Sequence, residues 1–294
     1  MFRSGFVSLL GRPNVGKSTL VNMLIGEKIV ITSDKPQTTR NKIHCILNRE
    51  NAQLIFIDTP GMHKPKHRLG ENMVRVAQRT QREVDAVLLL MDGSTYFGPG
   101  DKYILEVLNN IETPVVLVIN KTDLVDMDKA KELGEQVSKE YNFDQIFYVS
   151  ALEGENLDGL IDYLVTLMPE GPKYYPDDMI TDQPERLLIA ELVREKLLHH
   201  TSEEVPHSIA VEVDKMSKRE GKELIDINAT IYVERKSQKG IVIGKSGKLL
   251  KKVGELARKD IEHLLGSPVF LQLWVKEKRD WKNKAGFLQN MGYD

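Results

Sequence analysis

The sequence predicts an α/β domain, a mostly parallel sheet with helices on both faces, followed by a smaller α+β domain. Short apolar strands alternate with helix-like segments up to about Leu167, prolines then interrupt the pattern, and an α-β-β-α-β order follows. The chain of 294 residues is long enough for two such domains.

In order, the strands are Phe6 to Leu10, Leu54 to Ile57, Ala86 to Met91, Val115 to Ile119 and Ile146 to Val149, the rhythm of βαβ units. Pro169, Pro172, Pro176 and Pro184 stand in a polar stretch with Asp177, Asp178 and Asp182, where neither helix nor central strand continues. This sets a first domain at 1–168, a linker at 169–184 and a second domain with a C-terminal tail at 185–294. In the second domain Ile189, Leu192, Val193 and Leu197 have helical spacing. Ile209, Val211 and Val213 alternate as in a strand, as do Ile225, Ile227, Ala229, Ile231 and Val233. Leu250, Val253, Leu256, Ala257, Ile261 and Leu264 predict a long helix, with a short one before Gly244, and Val269, Leu271, Leu273 and Val275 share one face of a last strand.

Composition narrows the function classes. Cys45 is the one cysteine, so no intramolecular disulfide forms, which fits a cytoplasmic chain. Met1 runs straight into a strand, leaving no room for a secretion leader, and the apolar runs fall far short of the roughly 18 residues of a membrane span. The net charge of -2 conceals an asymmetry: residues 1–183 hold 20 Lys+Arg against 26 Asp+Glu, whereas residues 184–294 hold 21 against 17. Nine basic residues and the single acid Glu255 fall within Arg235 to Lys259, a density that attracts a polyanion.

The first motif is Gly11-Arg12-Pro13-Asn14-Val15-Gly16-Lys17-Ser18, followed by Thr19, between a strand and a helix. Glycines there let backbone N–H groups face phosphates at a helix N-terminus. Lys17 neutralises β/γ-phosphate charge, and the Ser18 hydroxyl suits Mg2+. Asp58-Thr59-Pro60-Gly61 ends a strand at the carboxyl edge of the sheet, where Asp58 reaches the same ion through water. Asn120-Lys121-Thr122-Asp123 ends another. A carboxylate at Asp123 matches the N1–H and amino donors of guanine, which adenine lacks. Asn120 tethers neighbouring loops, the Lys121 stem lies across the base plane, and Ser150-Ala151 offers a backbone N–H to the guanine oxygen.

These elements, in this order, resemble the translation-factor-related (TRAFAC) class of GTPases over roughly residues 1–168. The resemblance implies that Pro36-Gln37-Thr38-Thr39-Arg40 is a first switch whose threonine binds Mg2+ only with the γ-phosphate present. Thr39 is the choice, with Thr38 the alternative. Lys17, Thr39 and Gly61 are the expected catalytic set. After Gly61, where Ras-like proteins carry a water-orienting glutamine, this sequence has Met62, which predicts slow intrinsic hydrolysis. Asn14 matches an asparagine that ligates a monovalent cation in some relatives, which nominates K+ as an accessory ion. Residues Met62 to Gly70 read as a polar second switch. The histidines show no metal-ligand spacing, His199-His200 included.

In the second domain, Ile243-Gly244-Lys245-Ser246-Gly247 is a G-x-x-G loop leading into a helix, the element with which KH domains hold about four single-stranded nucleotides. Lys239, Lys245, Lys248, Lys251 and Lys252 supply charge beside it. A nucleotide-binding domain, a proline-marked linker and a type II KH module, with Glu203-Glu204-Val205-Pro206 and Val233 to Lys239, are together similar to the Era family of bacterial GTPases. That resemblance implies a monomeric ribosome-assembly GTPase whose partners are GTP or GDP, the 3′ end of 16S rRNA and the 30S subunit. It also implies peripheral membrane contact and no DNA. The competing reading makes the second domain a membrane- or protein-docking module in cell-cycle signalling.

Overall fold

The computed structural model describes residues 1–35, 37–61, 68–80, 83–109 and 111–293. In the first domain β1 (Arg3–Leu10), α1 (Lys17–Ile25), β2 (Ile43–Arg49), β3 (Ala52–Asp58), α2 (Arg68–Thr80) and β4 (Ala86–Asp92) come first. They are followed by α3 (Pro99–Leu108), β5 (Val115–Asn120), α4 (Met127–Ser138), β6 (Gln145–Tyr148) and α5 (Leu157–Leu167). The six-stranded sheet has the order β2-β3-β1-β4-β5-β6, and β2 alone runs antiparallel to its neighbour. Every residue of β3, β4 and β5 is buried because helices cover both faces, so these strands read as unbroken apolar runs.

The edge strand β2 is absent from the sequence reading. His44, Asn48 and Arg49 dilute its apolar pattern, and an edge strand needs only one well-buried side. The proline-rich stretch after α5 covers that edge. Ile46 N–H donates to Ile180 O at 2.9 Å, and Gln53 Oε1 accepts from the N–H groups of Tyr174 and Tyr175 at 2.8 and 3.0 Å. On the outer edge of β2 the Ile46 N–H and the His44 carbonyl, which accepts from Thr181 Oγ1 at 2.6 Å, thereby find partners.

The second domain comprises α6 (Glu185–His200), β7 (Ala210–Lys218), β8 (Ile225–Val233), α7 (Lys236–Ile243), α8 (Lys248–Leu265), β9 (Val269–Glu277) and α9 (Ala285–Asn290). Its sheet is β7-β8-β9, with β7/β8 antiparallel and β8/β9 parallel. Val193 and Leu197 of α6, and Val253, Ala257 and Ile261 of α8, pack on the inner face with Ile227, Ala229 and Ile231. The short α7 lies where a short helix was expected.

A further apolar cluster joins the domains. Leu69 and Met73 of α2 pack with Ala210, Trp281, Phe287, Leu288, Met291 and Tyr293. Arg68 to Gly70 therefore open a helix, and buried Leu69 belongs to a core, which corrects the expectation of a polar loop for these residues; Met62 to His67 lie outside the described residues. Trp281 is fully buried and its Nε1–H donates to Ser208 O at 2.9 Å. Trp281→Ala should cost about 3–5 kcal/mol, read as a lowered urea midpoint. A midpoint within error of wild type would show that the tail is not a stabilising element.

Candidate nucleotide and RNA sites

The loop between β1 and α1 needs backbone conformations that side chains resist. Gly16 has φ 98°, and a Cβ there would meet Asn120 Nδ2 at 2.2 Å. Asn14, at φ 67°, adopts the left-handed form that Asn tolerates, and its Nδ2 donates to Asp34 O at 2.6 Å. Gly61 stands over the same loop, where a Cβ would lie 3.1 Å from Pro13. Helix α1 starts at Lys17 with no side-chain cap among the described residues, so its first N–H groups and its dipole face the loop, a ready anion site. Lys17 is buried, and its Nζ donates to the Gly11 and Arg12 carbonyls at 3.2 and 3.0 Å. Burial lowers its pKa to about 8, with the Asp58 carboxylate pulling the other way.

Three oxygens converge beside it. Ser18 Oγ and Thr39 Oγ1 each donate to Asp58 Oδ2 at 2.9 Å, and the two hydroxyls lie 3.1 Å apart. Asp58 is fully buried, and its Oδ1 has no hydrogen-bond partner among the described residues. Burial pushes its pKa up, against Lys17, Thr39 and Ser18. Two hydroxyls around a buried, half-satisfied carboxylate form an all-oxygen set that fits Mg2+. Thr38 stands apart, with its hydroxyl on Lys35 O at 2.6 Å. The adjoining cleft, about 400 Å³, is also lined by Thr19, Gln37, Lys121 and His199.

At the far end, Asn120 Nδ2 donates to Val15 O at 2.9 Å, joining the base loop to the phosphate loop. Asp123 Oδ1 accepts from Ser150 Oγ at 2.6 Å, which aims the carboxylate. Lys121 Nζ is ion-paired with Asp92 at 2.6 Å. Ala151 N–H donates to Asn120 Oδ1 at 2.9 Å, which ties the turn after β6 to the Asn120 to Asp123 run.

In the second domain Gly244, Ser246 and Gly247 have φ 73°, 53° and 77°, which turns the chain tightly from α7 into α8. Lys245, Ser246, Lys248, Lys251 and Lys252 are exposed, while Ile243 and Lys239 are half-buried. Between α8 and β9 runs a groove of about 540 Å³ lined by Gly247, Leu250, Lys251, Gly254, Arg258 and Leu273. Gly254 faces Leu273 across the groove, where a Cβ would stand 3.5 Å from Leu273 Cδ1, an ordinary contact. The groove thus pairs an apolar floor with a basic lip, suited to unstacked bases and their phosphates. Sequence reasoning missed Phe270, which also lines this groove, and Trp274; both are exposed and alternate along β9 with Val269, Leu271, Leu273 and Val275. Among the described residues no group of three or more His, Cys, Asp or Glu could hold a metal ion, and no helix is long and apolar enough to cross a membrane.

A glycine loop opening onto a helix N-terminus, an all-oxygen set that fits a cation and a carboxylate aimed by Ser150, all on a mostly parallel sheet, fit a GTPase, here joined to a KH domain. Residues 6–121 match the model described as 50S ribosome-binding GTPase, and residues 204–282 match the KH domain model. GTPase Era of Alkaliphilus oremlandii is 57% identical over 293 residues, covering 100% of this chain and 99% of that protein. GTPase Era of Staphylococcus haemolyticus is 58% identical over 291 residues, covering 99% and 97%. The chain belongs to the Era family of GTPases. A crystal structure of Era with MgGDPNP and nucleotides 1506–1542 of 16S ribosomal RNA superposes with TM-score 0.97 at 40% identity, covering 100% and 99% of the two chains. An Aquifex aeolicus Era variant bound to GDP.AlF4- gives 0.96 at 40% identity, covering 99% of each chain.

Proposed function

We propose that this GTPase uses its nucleotide state to control how its KH groove holds the 3′ end of 16S rRNA during assembly of the 30S subunit. The observation that carries the reading is the meeting of Ser18, Thr39 and Asp58 in a chain whose other domain presents a basic G-x-x-G loop. The rRNA in the complex of the 40% identical relative supports the choice of RNA.

Ser18 and Thr39 would hold Mg2+ directly and Asp58 through water, and the ion would neutralise charge between the β- and γ-phosphates. Lys17 and the N–H groups from Asn14 to Thr19 cradle the phosphates, Gly61 meets the γ-phosphate, and Asp123 selects guanine. Without a glutamine after Gly61, intrinsic hydrolysis is slow until a partner orders the attacking water. We also assign K+ to Asn14, whose oxygen is the end to meet a cation because its nitrogen donates to Asp34. Equal rates in Na+ and K+ contradict that assignment. The domain limits 1–168, 169–184 and 185–294 belong to the same reading, as do a monomeric state, a cytoplasmic location and peripheral membrane contact through the basic cluster.

Thr39→Ala tests the switch assignment. It should raise the Mg2+ needed for half-maximal binding of a fluorescent GTP analogue by about tenfold, with GDP affinity changed less than about twofold. Equal losses for both nucleotides would place Thr39 outside the γ-phosphate response.

A further inference from the structure

The first switch is held from both sides by the KH domain. Arg194 of α6 is fully buried, paired with Glu191 on its own helix, and donates to the Thr38 carbonyl. On the other side of Thr39, buried Arg40 donates through Nη1 to Ile209 O at 2.6 Å and lies over the Trp281 and Tyr293 rings at 5.5 and 5.8 Å. The start of the same segment is also fixed from α6. Glu195 Oε1 accepts from Thr32 N–H at 3.0 Å, and His199 Nε2 lies 2.8 Å from Thr32 O.

Docking alone does not call for these groups. The Leu69/Met73/Trp281 cluster already joins the domains, and burying guanidinium groups costs desolvation that apolar side chains avoid. Both arginines instead bond backbone carbonyls across the domain boundary: Arg194 reaches the Thr38 carbonyl just before Thr39, and Arg40, just after Thr39, reaches the Ile209 carbonyl. Arg suits this because its planar fork can satisfy a carboxylate and a carbonyl together.

We propose that the KH domain positions Thr39 in cis: Arg194 and Arg40 clamp the residues flanking it, so that domain docking holds the Thr39 hydroxyl at Ser18 and Asp58. Arg194 and Arg40 are positioning residues; they act on the nucleotide through Thr39. By linkage, a cation and γ-phosphate that draw Thr39 inward tighten the docking of the KH domain to the same degree.

This inference rests on the Thr39 assignment above, and the test separates the two. In the full-length protein, Mg2+ is titrated against a fluorescent GTP analogue, and GDP affinity is measured in parallel, for wild type, Thr39→Ala, Arg194→Ala and Glu191→Leu/Arg194→Met. The double variant keeps the packing and leaves no unpaired carboxylate. Both Arg194 variants should need about tenfold more Mg2+, with GDP affinity within about twofold of wild type. If Thr39→Ala shows the effect and the folded Arg194 variants do not, the clamp is overturned. If Thr39→Ala shows none, the assignment beneath it fails as well. Hydrogen exchange on the wild type gives a readout independent of mutant folding. Amides at 38–40 and in the second half of α6 should gain protection together when the analogue replaces GDP, and a gain at 38–40 alone overturns the clamp.

Discussion

Asp123→Asn should lower GTP affinity by about a hundredfold or more and create affinity for xanthosine triphosphate. The carboxylate accepts two hydrogen bonds from the N1–H and amino group of guanine, each charge-assisted and worth about 1.5–3 kcal/mol. An amide keeps one acceptor but turns a donor toward a donor. Xanthine carries a carbonyl where guanine has its amino group, so that same amide then finds a partner. Ser150 Oγ, 2.6 Å from the Asp123 carboxylate, can still orient the shorter-range contacts of an amide oxygen. Competitive titration with both triphosphates decides it, and undiminished GTP affinity would remove Asp123 from base selection.

Gly244→Asp should abolish measurable RNA binding, a loss of about a hundredfold or more, while leaving GTP hydrolysis near wild type. Gly244 has φ 73° and ψ 173°, a region essentially closed to other residues and costing about 1–3 kcal/mol to enter. A Cβ there would stand 2.7 Å from Leu249 Cβ and 3.0 Å from Leu249 N, so the turn into α8 must distort. The new carboxylate also sits where phosphate is to be held. Lys248→Ala provides the charge-only comparison, expected to weaken binding uniformly across sequences and to reduce the salt slope by about one ion. Full RNA affinity in Gly244→Asp would move the contact away from this loop.

How much was legible in the sequence follows from where each structural cause lies. The phosphate loop, Asp58, the Asn120 to Asp123 run and the G-x-x-G loop are local chemistry, written in consecutive residues at the ends of strands or helices. The core strands were legible because two covered faces leave an unbroken apolar run. The β2 strand was not, since its partner on one edge is an irregular segment more than a hundred residues away, seen in the Cys45 to Thr181 bridge. The C-terminal tail escaped for a similar reason. Trp281 packs against Phe287 and Tyr293 within the tail, but the segment is too short to show a period, and only the fold brings these rings to Leu69 and Met73. Arg194 on α6 reads as one more charge on an amphipathic helix until the neighbouring domain buries it.

The most direct measurement is binding of a single-stranded oligonucleotide copying the 3′ end of 16S rRNA to the wild-type protein at matched salt, with GDP and with a non-hydrolysable GTP analogue. With the first switch closed as it is here, the lysines beside the G-x-x-G loop stay exposed to solvent and the KH domain is docked on that switch. The account therefore predicts sequence-preferring binding that is about tenfold tighter with the analogue, the size of an ordinary coupling between two sites. Equal affinity in both nucleotide states, or no preference over a scrambled oligonucleotide, would contradict it.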